Sequence, residues 1–421
     1  MLRSFSKLRF GLICFAAVAL GLPITFISLA KLALLLALLV VLLHAWLHPQ
    51  PRHALTNAIT PAALLALTLL ALSALWSTGS NDEAAVAFAK HGRLIMIPAL
   101  LYLTRSRREA LFAIACFVAG QIFLLGSSWL LFLGLDLPWV TSNEAGSCEF
   151  CSFAVHSSYL DQSIMSAVLA AVCWHLRVHL APRYRLWLAL VLALLALACV
   201  FFVFQGRTGH LIALALISLT LLWELPRRFK LAALLVPLLM LLGLAASSAK
   251  VGYGLTEIGH GLQSSLESDD MHIRSGVRLD LWYRSLHAMA QNPWLGTGVG
   301  SWNRESKRQI ALHARDIPVN SASGQQHNPH QEYLLWGVEL GLIGIALLCA
   351  LLLALYRDSL RLAVPERRAM QSVLLALGMA CLFNCALYDA MIGDFFCITL
   401  GLLAALGAPA ATTGVSGRNT T

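Results

Sequence analysis

Apolar stretches of about twenty residues recur along almost the whole chain, each long enough to cross roughly 30 Å of hydrocarbon as a helix rising about 1.5 Å per residue. Twelve are predicted: Phe10–Pro23, Leu29–Leu47, Leu55–Trp76, Ala84–Leu103, Glu109–Leu135, Tyr159–Val178, Leu186–Gln205, Gly209–Leu225, Leu231–Ser248, Tyr333–Tyr356, Gln371–Asp389 and Phe395–Pro409. Between the ninth and tenth, from about Lys250 to His330, the pattern opens into a polar stretch that ends in HNPHQEYLLWGVELGLIG, where the next apolar run begins. Residues 1–249 therefore read as helices one to nine, 250–332 as a large loop, 333–411 as helices ten to twelve, and 412–421 as a disordered cytoplasmic tail.

The loop is itself patterned. Ile273–Gln291 has helical spacing in Val277, Leu281 and Leu286–Met289, and Asn292-Pro293 ends it. Ser268–Met271, with Asp269 and Asp270, is a candidate cap on the approach. NPWLGTGVGSW follows, and its alternating Gly296, Gly298 and Gly300 predict a tight loop turn or a close backbone approach. A phosphate cradle is the alternative, although the lysine and Ser/Thr of a P-loop are missing. Gly337, Gly341 and Gly344 on the tenth span predict close helix packing.

Charge orients these elements. Arg3, Lys7 and Arg9, then Arg52, Arg105, Arg107, Arg108, Arg177, Arg183, Arg185, Arg227, Arg228, Lys230, Arg357, Arg361, Arg367 and Arg368 fall on alternate connections. The opposite loops Ser77–Glu83, Asp136–Ser158 and Ala390–Asp394 carry no Lys or Arg. That asymmetry predicts both termini in the cytoplasm and the large loop outside. The run Leu12–Leu22 after a basic start resembles a secretory signal, but it meets Pro23 and Ile24 with no small-residue cleavage site, so it is expected to be retained.

Composition agrees: 58% hydrophobic, 12% charged and a mean hydropathy of +0.73 exclude a soluble domain, in which about a quarter of residues are charged. The net charge of +9 follows from topology, which makes nucleic-acid binding the poorer reading. Of ten cysteines only Cys148 and Cys151 lie in an outer loop, as a disulfide or free thiols rather than a metal site. The outer face has no DxD or histidine cluster with metal-site spacing.

Few positions carry chemistry. Arg207, in FQGRTGH at the outer end of the seventh span, either snorkels to lipid headgroups or binds a phosphate. Arg278 and Arg274 lie one turn apart on the loop helix, and either pair with Asp280 and Asp270 or grip a pyrophosphate bidentately. His330, at the mouth of the tenth span after Pro329, which predicts an extended approach, is a candidate general base, as is His327; a helix cap is the competing role. Lys90 and Arg93, in the outer half of the fourth span, are candidates for holding phosphate or for meeting membrane lipids.

RTG after the seventh span, then RLDLW, NPWLGTGVG and His330-Gln-Glu-Tyr-Leu-Leu-Trp-Gly-Val-Glu-Leu-Gly, resembles the O-antigen ligase family over most of the chain. The family is related to O-antigen polymerases and to ligases that glycosylate protein. The resemblance implies an all-α integral membrane protein, multi-span and GT-C-like, in the bacterial inner membrane with its active site on the periplasmic face. It implies a metal-independent, inverting glycosyltransferase without a cofactor, which moves a glycan from undecaprenyl pyrophosphate to a sugar hydroxyl of lipid A–core. The family histidine normally precedes Asn-x-Tyr/Phe-Leu; here Gln331 stands in place of the Asn before Glu332-Tyr333-Leu334, and HN occurs three residues early at His327-Asn328. The implied catalytic residues are His330, Arg207 and Arg278, with Arg274, Tyr333, His327, Lys90, Arg93 and His156, in His156-Ser-Ser-Tyr159, around the substrates. A polymerase shares these residues with a different acceptor, and a lipid-linked glycan transporter is the non-enzymatic alternative.

Overall fold

The structure, a computed structural model, describes residues 2–47, 57–142, 153–204, 206–247, 274–313 and 326–408. Cys148, Cys151, the cap expected at Ser268–Met271 and the tail at 412–421 lie outside the described residues. The described chain is helical throughout, with no strand: α1 Leu2–Ala19, α2 Ile24–Leu47, α3 Ile59–Ser73, α4 Asn81–His91, α5 Met96–Leu103, α6 Arg107–Phe132, α7 Tyr159–His175, α8 Arg185–Ala198, α9 Arg207–Glu224, α10 Lys230–Ser247, α11 Arg274–Gln291, α12 Trp302–His313, α13 Glu332–Ser359, α14 Val364–Phe383 and α15 Ala390–Ala404.

Each of the twelve apolar stretches contains a helix among its described residues, the fourth being α4 and α5 joined through a 3₁₀ turn at Gly92–Ile95. Among the described residues seven helical units are long and apolar enough to cross a membrane: Ile24–Leu47, Ile59–Trp76, Asn81–Leu103, Arg107–Phe132, Arg185–Val203, Glu332–Ser359 and Ala390–Gly407. The others fall short for physical reasons: α7 has only 17 residues, and α1 carries Arg3, Lys7 and Arg9. The chain is a multi-span membrane protein.

At the end of the bundle that carries the basic connections, several of them meet carboxylates. Arg9, 1% exposed, grips Glu109 through both guanidinium nitrogens at 2.6 and 3.0 Å. Arg107 and His179 meet on Glu366, and Arg177 and Arg368 on Glu224. A buried Arg stripped of its carboxylate would cost several kcal/mol, so these pairs tie α1 to α6 and α7, α9 and α14 to one another.

The large loop packs into the opposite end. α11 occupies the predicted helical stretch, α12 is an additional helix, and NPWLGTGVGS between them inserts into a break in α13. At Gly341 the backbone turns to φ 65°, ψ −153°, which interrupts the ladder that Leu342 and Ile343 would otherwise complete with Val338 and Glu339. The loop supplies the missing partners on both sides. The Thr297 and Gly298 amides donate to the Val338 and Glu339 carbonyls at 2.8 Å each, while the Leu342 amide donates to the Pro293 carbonyl at 2.7 Å and that of Ile343 to Trp294 at 3.5 Å. Within hydrocarbon each orphaned group costs several kcal/mol, so the break is tolerable only because the loop fills it.

The glycines follow from this seam. Gly296, Gly298 and Gly300 all have positive φ, and a Cβ on Gly296 would fall 2.5 Å from the Val338 carbonyl oxygen. The amides of Thr297, Gly298, Val299 and Gly300 all donate to protein oxygens, so close backbone approach is the observed role and the loop is no phosphate cradle. Of the tenth-span glycines, Gly337 lets Met289 of α11 approach, whereas Gly341 makes the break.

Candidate active site

His330 stands where the seam, the α14–α15 turn and the start of α13 meet. Its backbone departs from the expected extended approach and lies in the left-handed region at φ 50°, the one such non-glycine among the described residues. The side chain of Asn328 explains this: Oδ1 accepts the His330 amide at 2.9 Å, turning the chain back on itself, and Nδ2 donates to Asp389 at 3.3 Å. A strained backbone over-determined by its surroundings is common where a side chain must point in one direction. The next residue caps α13, with Gln331 Oε1 accepting the Leu334 amide at 2.5 Å. Gln331 thus performs the amide-acceptor role of an N-cap residue.

Glu332 anchors the same turn from inside. It is fully buried, accepting the Leu387 and Tyr388 amides at 2.9 and 3.3 Å and the Trp336 indole N–H at 3.0 Å. The His330 ring contacts Gln326 Oε1 through Nε2 at 2.9 Å. Burial first, and the charge of Arg278 second, hold its pKa below the ordinary imidazole value, so the ring is a neutral base at neutral pH.

Arg278, half-buried on α11, interacts electrostatically with groups from three other segments. Burial lowers the pKa of its guanidinium, the Tyr159 hydroxyl raises it and Arg207 lowers it, so it lies within electrostatic reach of Tyr159, Arg207 and His330. Asp280, the expected competitor for Arg278, is instead buried in a two-point ion pair with Arg284, whose Nε donates at 3.0 Å. Arg207 is exposed as the first residue of α9, where the helix dipole adds to its charge. α8 ends below it in a π-turn at Cys199–Val203. The glycine of RTG allows α9 to press on α7: a Cβ on Gly209 would lie 2.1 Å from Ser163 Oγ.

Other expected positions are spread around this centre. Lys90 lies over the Tyr388 ring at 4.2 Å and shares a 310 Å³ cavity with His327. Arg93 is 7% exposed, with Nη1 on the Asp389 and Ala390 carbonyls and Nε 3.8 Å from Asp394, so its guanidinium is committed to the α14–α15 turn. His156 contacts Thr141 at 3.2 Å, and burial pushes its pKa down to about 4; it is Tyr159 of the same HSSY motif that acts on Arg278. Tyr333 points to the Gly378 carbonyl of α14 at 3.5 Å. Arg274 begins α11, and its side chain lies outside the described residues. A second histidine was not singled out by sequence: His91, 1% exposed, pairs with the buried Glu339 at 2.8 Å, while the other oxygen of Glu339 accepts the Gly300 amide. Among the described residues no three His, Cys, Asp or Glu side chains gather as a metal site.

No curated protein gives a significant match to the chain. Residues 192–349, which contain Arg207, Arg278, His327 and His330, match the family model Wzy_C, described as O-antigen ligase. That part of the chain is similar to the O-antigen ligase family.

Proposed function

We propose that the protein is an O-antigen ligase, a metal-independent, inverting glycosyltransferase that moves a glycan from undecaprenyl pyrophosphate to a sugar hydroxyl of lipid A–core. The observation that carries this reading is the match of residues 192–349 to the O-antigen ligase model, with Arg207, Arg278 and His330 inside it and Arg278 within electrostatic reach of the other two. Two like charges within reach of one another repel and gain most from an anion between them, and guanidinium forks suit pyrophosphate oxygens.

In the mechanism, His330 takes the proton of the acceptor hydroxyl as its oxygen bonds to the anomeric carbon. The bond from that carbon to the pyrophosphate oxygen breaks on the opposite face, and the leaving electron pair stays on undecaprenyl pyrophosphate between Arg207 and Arg278. Fixed cations aimed at developing charge lower a barrier by roughly 3–4 kcal/mol per donor in comparable sites. Topologically, the reading takes twelve crossings in a GT-C-like arrangement, both termini in the cytoplasm and the site at the periplasmic face of the inner membrane. Lys90 and the 326–330 segment line the approach, with Arg274, Tyr333 and His156 around it. Membrane lipids surround the bundle.

Incubating purified protein with lipid-linked glycan and lipid A–core tests this. The wild type is expected to build long lipopolysaccharide, unaffected by chelators, and His330→Ala to lose roughly 10²–10⁴-fold in rate while still inserting. Elongated carrier-linked glycan in place of lipopolysaccharide makes the protein a polymerase, and an active His330→Ala refutes the general base.

A further inference from the structure

Beside the arginine cluster lies a second concavity with a different chemistry. Its 310 Å³ has a polar side of Asp82, Glu83, Lys90, Asn303 and His327 and an apolar side of Val86, Trp302, Leu335 and Tyr388, with the fully buried Glu339 behind them. That volume sits at the small end of ligand pockets, about 300–1,000 Å³, and suits one compact polar group rather than a lipid chain.

The lining argues against an anion. Two carboxylates, Asp82 and Glu83, face one lysine, and that lysine is placed over an aromatic ring at 4.2 Å. Carboxylates only accept hydrogen bonds while ionised and form strong ones with hydroxyl donors, so the wall is built for a ligand rich in O–H groups. Its geometry is held rigidly. Glu83 accepts the Asn303 amide at 2.9 Å and caps its own helix through Ser80, and Glu339 is fixed by Gly300 and His91 at 2.8 Å each. Two sides open outward, since Asp82 and His327 are exposed.

Position then decides which substrate it serves. The same short segment gives His327 to this cavity and His330 to the neighbourhood of Arg278, so a ligand here lies against residues three positions from the base, while neither Arg207 nor Arg278 lines the cavity. We propose that the cavity between α4, the start of α12 and the 326–330 segment seats the acceptor sugar, with Asp82, Glu83 and Asn303 reading its hydroxyls and His330 reaching the one that attacks. This rests on the transferase reading above and adds a separate acceptor site to it.

The test uses full-length protein in nanodiscs with Asp82→Asn and Asn303→Leu. One probe is lipid A–core in turnover; the other is the soluble core oligosaccharide released from it, titrated calorimetrically without donor. Each variant is expected to raise the KM for lipid A–core about tenfold and to weaken oligosaccharide binding equally, the worth of one charge-assisted hydrogen bond, while donor KM stays within twofold. Unchanged acceptor KM and binding in both variants, or a rise confined to donor KM, overturns the acceptor site. A wild type that fails to use lipid A–core at all overturns the functional reading instead, so the two failures are told apart.

Discussion

Gly341→Ala tests the seam between loop and broken helix. In the native backbone, φ 65° with ψ −153° is a conformation open almost only to glycine, and forcing another residue into it costs about 1–3 kcal/mol. A Cβ there would also lie 2.4 Å from the Trp294 carbonyl carbon and 2.6 Å from the Pro293 oxygen, both backbone atoms that cannot rotate away. Relief requires displacing residues 293–298 and breaking the three seam hydrogen bonds of 2.7–2.8 Å, at about 1 kcal/mol each. The total, roughly 4–6 kcal/mol, rivals the whole margin of a marginally stable protein. If α13 straightens and closes its own ladder, part of that is recovered but the loop is expelled. Either route is visible: a lower melting temperature in detergent, or new protease cleavage within 293–301, with transferase activity lost in both. Gly378→Ala on α14, where a Cβ meets nothing within 4 Å, is the control that keeps wild-type behaviour. Gly341→Ala with wild-type melting and wild-type protease resistance would refute the account of the seam.

Two further predictions concern the site and its support. His330 must be neutral to act as a base, so activity is present above its folded pKa, already lowered from about 6.5, and is lost as pH falls through it. Arg278→Gln removes the smaller of the two causes, so the acid limb of the residual rate profile moves to higher pH; a limb that stays in place or moves down contradicts the coupling. Gly209→Ala puts a Cβ 2.5 Å from that of Ser163 and is expected to destabilise by about 1–3 kcal/mol, with Ser163→Gly restoring much of the loss. A double variant no more stable than Gly209→Ala disproves the close contact as its cause.

Much of the candidate site was legible because its residues break a local rule. An arginine at the end of an apolar span, a histidine just before another and a polar stretch of about eighty residues each stand out against hydropathy alone. Other members carried no such mark. Tyr159 lay inside a flagged motif, yet the histidine was its conspicuous residue. His91 and Glu339 sit 248 positions apart, and neither looks special until α4 meets α13. Asp280 was a reasonable partner for Arg278 by spacing, but Arg284 one turn later on the same helix takes it.

What the sequence by itself determined is the helical, multi-span character of the chain. Hydropathy is a local property, and hydrocarbon forces each backbone to bond within its own helix, so twelve helical stretches can be read one at a time. The tertiary structure alone decided where that rule is broken. The interruption at Gly341 is stable only because Pro293, Trp294, Thr297 and Gly298 arrive from elsewhere to take its hydrogen bonds. Likewise, Arg278 gains its meaning only from Arg207, Tyr159 and His330 around it, a relation set by packing between segments that no single stretch of sequence contains.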